Sequence, residues 1–287
     1  MTKPIHTIKV NSFSEVESKF VDILEAFKKF GLVLIQGHKF SKKDQTKIAQ
    51  LLGDVFEWNI SSSSTKEEAE GMVNEMGGQS IEKNRDYIKE KDTYFLDWHI
   101  EQIYFTSPPL AGLWNMTKIT CPPGHGNTRF ADSNEIFNSL EKDEQEFLEK
   151  SIILWDKPAN SEVGPFYTKA VEYHPATKIP IIRIETDKGC YILPTLYSLD
   201  GKAPTDKELD KFQELLKKIK SELYENENIR YEQEWKVEDF LIVDLFRMYH
   251  AVMGGFDYQE RFMSIIVANA NVPKNSSYNI KPEIQEY

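Results

Sequence analysis

Cysteine is scarce in this chain. Only Cys121 and Cys190 stand among 287 residues. That is too few for a disulfide framework, so reduced thiols in a cytoplasmic protein are expected, although the count leaves one bridge open. Long apolar runs are missing as well. Nothing approaches the roughly 18 residues of a membrane span, and the opening MTKPIHTIKV has no apolar centre of a signal peptide. Basic residues are outnumbered, 35 against 46 acidic ones, for a net charge of −11. An acidic balance argues against nucleic acid or an anionic membrane as the main partner. Histidine is rare, with six in all. Internal repeats and composition shifts are absent, so a single domain over 1–287 is expected.

What is present suffices for a packed core, at 40% hydrophobic and 12% aromatic residues. Residues 5–10 read as an edge strand. Val16, Phe20, Ile23, Leu24 and Phe27 recur at helical spacing behind Ser12 or Ser14, and Gly31 ends that helix. Leu32–Ile35 is a short buried strand, and Ser41 caps a second helix that ends at Gly53. Residues 59–93 carry a serine run, a charged run and Gly77-Gly78 with few apolar positions. Long irregular segments are usually functional or disordered, and this one is read as an active-site lid. After residue 94, short strands with Gly/Pro turns dominate. A helix is expected over 133–150 and another from Thr205 to Tyr224. The last strands are Phe240–Val252 and Phe262–Ala270. This is an α+β chain, mainly β, of barrel or jelly-roll type.

The chemistry gathers at Asp97-Trp98-His99-Ile100-Glu101. On a strand, His99 and Glu101 point to one face and could offer a nitrogen and an oxygen to one metal ion. Chance alone supplies about one such His-x-acid pair here, given the histidine and acid counts. The pair therefore gains meaning only with a second histidine, which would complete the 2-His-1-carboxylate triad of non-haem Fe(II). His250, closing the apolar strand from Phe240, is the best candidate. If the following turn centres between Gly255 and Phe256, Arg261 faces His250 across a hairpin. A buried arginine needs an anion. A dicarboxylate that chelates the metal at one end and meets Arg261 at the other would answer it, and 2-oxoglutarate has that form.

Five blocks in order resemble the Fe(II)/2-oxoglutarate-dependent oxygenases of the taurine dioxygenase (TauD/TfdA-like) superfamily. They are Phe30–Gly37 with the helix to Gly53, Trp98-His99-Ile100-Glu101, Pro122–Asp132, His174-Pro175-Ala176-Thr177, and Trp235–Asp239 with Asp244, Arg247, His250 and Arg261. The resemblance implies a double-stranded β-helix (jelly-roll, cupin-like) core with flanking helices. It implies His99, Glu101 and His250 as iron ligands, and Thr128 and Arg261 on the distal carboxylate of 2-oxoglutarate. O₂ would be the oxidant and succinate and CO₂ products, with hydroxylation of an unactivated C–H in a small molecule.

The departures are informative. Glu101 stands where aspartate is usual, as in the clavaminate-synthase-like branch and free amino-acid hydroxylases, which points to an amino acid or an amino-acid-derived acid. A carboxylate there also speaks against halogenation. Ile265 stands where taurine dioxygenases carry a sulfonate-binding arginine, so taurine is not expected. Asn127 and Glu238 replace common turn residues. Arg247, Tyr104, Gln102, Asn115 and Tyr249 are candidate substrate contacts. Desaturation or isonitrile-type tailoring would use the same site. A metal-binding cupin-like protein without oxygenase activity is the reading of a different class, and it has no use for the Thr128–Arg261 clamp. The sequence leaves the oligomeric state open.

Overall fold

The structure is a computed structural model, and it describes residues 2–53, 55, 73–76, 92–101, 103, 109–155, 166–186, 194–257 and 259–268. The lid expected over 59–93 lies outside them except at 73–76 and 92–93. Gln102, Tyr104 and Cys190 also lie outside the described residues.

The strands run β1 (His6–Lys9), β2 (Leu32–Gln36), β3 (Asn74–Met76), β4 (Tyr94–His99), β5 (Ala111–Ile119), β6 (Thr128–Asp132), β7 (Ser151–Trp155), β8 (Phe166–Lys169), β9 (Val171–Tyr173), β10 (Pro180–Ile182), β11 (Thr195–Leu199), β12 (Arg230–Gln233), β13 (Phe240–Asp244), β14 (Met248–Met253) and β15 (Arg261–Ala268). The helices are α1 (Phe13–Ser18), α2 (Phe20–Phe30), α3 (Lys42–Leu52), α4 (Ser133–Ser139), α5 (Lys142–Glu149) and α6 (Asp206–Glu225). Among the described residues, strand exceeds helix. The first expected helix is split at Lys19, and the helix expected over 133–150 is two, with Leu140 extended between them.

Two sheets carry the site. One is six-stranded, in the order β1-β2-β13-β5-β15-β3, and the other is four-stranded, β12-β6-β14-β4. Alternation along each strand sorts side chains into three layers. Leu34, Trp114, Leu241 and Ile265 of the larger sheet meet Phe130, Tyr231 and Met248 of the smaller one in a shared apolar cluster. The opposite face of the larger sheet, with Val33, Leu113, Ile242 and Ile266, packs on Ile23 and Phe27 of α2 and Ile48 of α3. The opposite face of the smaller sheet, with Ala131, Tyr249 and Ala251, packs under Phe212, Leu215 and Ile219 of α6.

Local chemistry fixes the helices. Ser41 and Asp44 form a capping box on α3, and Thr205 with Glu208 does the same for α6. Gly31 ends α2 at φ 71, and a Cβ there would meet Met248 Sδ at 2.9 Å. Both facts demand glycine. Gln45, fully buried, donates to the carbonyls of Leu113 and Ser264 and accepts from the Ser264 hydroxyl, which ties α3 to β5 and β15.

The long strand expected over Phe240–Val252 is broken. β13 belongs to the larger sheet and β14 to the smaller. The chain crosses between them at Leu245-Phe246-Arg247, where Arg247 N–H donates to the Asp244 carboxylate at 3.1 Å. The hairpin expected between His250 and Arg261 does not form either. β14 pairs with β6 and β4, whereas β15 pairs with β5 and β3, and Arg261 lies opposite Ile119. The apolar run hid a sheet change because both segments are buried.

Candidate metal and dicarboxylate site

β14 and β4 pair antiparallel with His250 opposite His99. The imidazoles lie 4.0 Å apart between ring centroids, inclined at 55°. β4 stops at His99, so Glu101 sits just beyond the strand, not on its face as the i, i+2 pattern suggested. The turn still brings its Oε2 to 3.6 Å from His250 Nε2. One ligand atom from each of His99, Glu101 and His250 lies within 4.8 Å of the others.

The protonation state suits a cation. His99 Nδ1 lies 2.8 Å from the carbonyl of Asp97. A carbonyl only accepts, so Nδ1 carries the proton and Nε2 keeps its lone pair. A second partner of this kind is what orients a ligating histidine. Burial, with His250 nearby, pushes His99 down to about 3, while Glu101 opposes the shift. Burial pushes His250 down to about 4. Two neutral imidazoles and a carboxylate fit a divalent first-row metal.

These shifts have a consequence for the metal-free protein. An unfolded histidine titrates near about 6.5. Between that value and the folded ones the unfolded chain binds more protons, so stability rises with pH across this window. The contribution is complete above about pH 6.5 and is lost as pH falls toward 4, at on the order of 1 kcal/mol per pH unit per histidine. Urea midpoints at about pH 7 and about pH 5 check it. The wild-type midpoint drops more than that of a His99→Leu variant, and equal drops would contradict the assignment.

A second cluster lies along β6. Arg261, 8% exposed, donates through Nε to the Gly126 carbonyl at 3.0 Å and through Nη2 to Thr128 Oγ1 at 3.1 Å. Burial lowers its pKa to about 10 although Cys121 opposes this. No carboxylate pairs with it among the described residues. Thr128 stands opposite Val252 and two residues from Phe130, the partner of His250. Two residues of strand span roughly 7 Å, a length suited to a ligand that also reaches the triad. The expected register of Arg261 opposite His250 is wrong, because Arg261 comes from the facing sheet; its pairing with Thr128 is the one the family resemblance implied.

Three expected substrate contacts point elsewhere. Arg247 Nε donates to Asp132 Oδ1 at 2.9 Å, Nη2 pairs with Asp132 Oδ2, and Nη1 donates to the Lys28 carbonyl at 3.2 Å. Its fork is used to tie the sheet crossing to α2 and β6. Arg247→Met strands a buried carboxylate and destabilises the fold by about 3 kcal/mol, measured by urea unfolding. Unchanged stability with a raised substrate KM would restore the substrate role. Asn115 donates to the Phe40 carbonyl at 3.1 Å, on the helix-covered face. Tyr249 lies on the α6 side of its sheet, and its hydroxyl donates to the Ile184 carbonyl.

Arg183 and Glu185 are not among the residues singled out from sequence, and Trp235 stands there only as part of the distal block, without a role. Trp235 Nε1 donates to Thr128 Oγ1 at 2.8 Å. Arg183 and Glu185 are both 1% exposed. Burial, and then the charge of Glu101, hold the Glu185 carboxyl well above the ordinary carboxylate range. Arg183 and Glu185 follow the end of β10, and two charged residues in an otherwise apolar stretch were the available signal.

Residues 2–266 match the sequence profile of the taurine catabolism dioxygenase TauD, TfdA family. The chain belongs to this family. As a TauD/TfdA member it is a 2-oxoglutarate-dependent dioxygenase that uses iron. Its fold agrees. A taurine dioxygenase from Burkholderia xenovorans superposes with a TM-score of 0.67 at 13% identity, covering 98% of this chain and 90% of that one. AAD-2, solved with Mn(II) and N-oxalylglycine, gives a TM-score of 0.63 at 14% identity and 99% coverage of both chains. PvcB from Pseudomonas aeruginosa gives a TM-score of 0.66 at 17% identity, covering 98% and 92%. Comparison with curated proteins finds no match. Among the described residues, no helix is long and apolar enough to cross a membrane.

Proposed function

We propose that this TauD/TfdA enzyme hydroxylates an unactivated C–H of a free amino acid or an amino-acid-derived acid, releasing succinate and CO₂. His99, Glu101 and His250 hold Fe(II), and Thr128 and Arg261 take the distal carboxylate of 2-oxoglutarate. The observation that carries this reading is Arg261: a buried guanidinium beside Thr128 without a carboxylate partner among the described residues. A cupin-like binding protein has no need of it.

When bound, the iron supplies activation of O₂ coupled to oxidative decarboxylation of the co-substrate. The chain supplies geometry and dryness. Asp97 fixes the tautomer of His99. Trp114 and Phe130 flank His250 at ring-centroid distances of 5.2 and 6.3 Å and exclude water from it. Arg261 and Thr128 set how far the co-substrate reaches.

The substrate class is supported by Glu101 and by two buried polar groups. Arg183 Nη2 and Glu185 Oε1 are buried without hydrogen-bond partners, and buried polar groups are costly unless paired. The unpaired Arg183 N–H suits the carboxylate of an amino acid, and the Glu185 carboxyl oxygen can accept from its amino group. The double-stranded β-helix core, a single domain over 1–287, a lid at 59–93, a cytoplasmic setting and a role without nucleic acid or membrane complete the proposal.

The test is succinate release across the free amino acids and their N-acetyl counterparts, with mass analysis of the product. At least one free amino acid is expected to gain one oxygen while its N-acetyl form is inert. Failure to turn over either the free amino acids or acids derived from them contradicts the class. Loss of two hydrogens would move the assignment to desaturation.

A further inference from the structure

Thr128 is fully buried, and its hydroxyl oxygen accepts two hydrogen bonds. One comes from Arg261 Nη2 at 3.1 Å and the other from Trp235 Nε1 at 2.8 Å. A hydroxyl has two lone pairs and one proton. Both lone pairs are used, and neither donor can accept in return. The proton must therefore be given to something else, and it has no acceptor among the described residues.

Trp235 is itself held firmly. It is 4% exposed in the turn between β12 and β13. The Asp239 carboxylate gathers that turn by accepting from Gln36 Nε2 at 2.6 Å, Gln233 Nε2 at 2.8 Å and the Lys236 amide at 2.8 Å. Glu238, at φ 76, completes it. So much local order places one indole N–H against one hydroxyl. Had the second lone pair been left open, Thr128 could have turned its proton away from the site.

We propose that Trp235 is a positioning residue for the co-substrate: by filling the second lone pair of Thr128 it makes that hydroxyl an obligatory donor to the distal carboxylate. Selectivity for a dicarboxylate over a plain 2-oxo acid then rests on three residues, Arg261 for charge, Thr128 for the donated proton and Trp235 for its direction. This rests on the Thr128–Arg261 carboxylate site proposed above. A hydrogen bond to a charged group is worth more than a neutral one, so losing its direction is felt on the dicarboxylate alone.

The experiment is calorimetric titration of Mn(II)-loaded protein with 2-oxoglutarate and with 2-oxobutyrate, which lacks the distal carboxylate. Wild type is expected to prefer 2-oxoglutarate strongly. Trp235→Phe keeps the ring and removes the N–H. It is expected to weaken 2-oxoglutarate on the order of tenfold and leave 2-oxobutyrate unchanged. In a Thr128→Val background the same change is expected to do nothing further. An unchanged preference in Trp235→Phe, or an equal loss in the Thr128→Val background, overturns the proposal. A wild type without preference fails the carboxylate site itself, a different result. Should Trp235→Phe not fold, the wild-type indole N–H resonance of Trp235 decides. It is expected to shift with 2-oxoglutarate and not with 2-oxobutyrate, and a response to neither or to both overturns the assignment.

Discussion

His250→Ala abolishes iron binding and turnover together. The variant removes one of three ligand groups that lie within 4.8 Å of one another. Loss of a mere supporting partner costs a metal site roughly 10–100-fold in affinity, and loss of a ligand costs more. The change also uncovers the pocket between Trp114, Phe130 and His99, so melting temperature must be followed alongside. Mn(II) titration and succinate release are the measurements. A folded His250→Ala protein that binds metal and consumes 2-oxoglutarate at wild-type levels would remove His250 from the site.

Arg261→Met raises the KM for 2-oxoglutarate by on the order of 100- to 1000-fold, the range for truncating one member of a buried charge pair. Methionine fills much of the same volume, so the apolar walls of Phe256 and Trp235, 5.6 and 6.0 Å from the guanidinium carbon, remain packed. Metal affinity is expected to stay near wild type, because Arg261 belongs to β15 and touches none of the three candidate ligands. Steady-state kinetics against 2-oxoglutarate, with Mn(II) affinity as a control, separates the outcomes. A KM within a few-fold of wild type would mean that the anion bound at Arg261 is not the co-substrate.

What the sequence made legible depended on periodicity. The helices after Ser41 and Thr205 announced themselves by capping residues and apolar spacing, and both begin there. The strand at Leu32–Ile35 was equally plain. What stayed hidden was connectivity. β13 and β14 form one unbroken apolar run in sequence, and only the tight turn at Asp244–Arg247 separates the two sheets. Because of that crossing, the expected hairpin joining His250 to Arg261 was wrong: Arg261 meets Thr128 from the opposite sheet. Glu101 is a similar case, brought to His250 by a turn and not by strand alternation.

Polar side chains at buried positions were the hardest to place. Arg247 and Asn115 read as binding groups from their types alone, yet their partners, Asp132 and the Phe40 carbonyl, lie 115 and 75 residues away in sequence. Contacts of that range leave no local pattern. Trp235 illustrates the converse, since a buried indole N–H requires an acceptor, but nothing nearby in sequence names Thr128 as that acceptor.

The central claim is that His99, Glu101 and His250 hold iron within reach of a co-substrate anchored by Thr128 and Arg261. Anaerobic titration of the protein with Fe(II) and then 2-oxoglutarate tests it most directly. A metal-to-ligand charge-transfer band is expected to grow and saturate at one equivalent of each, and to be absent in His250→Ala. Folded wild-type protein that shows no such band with both components present would contradict the claim.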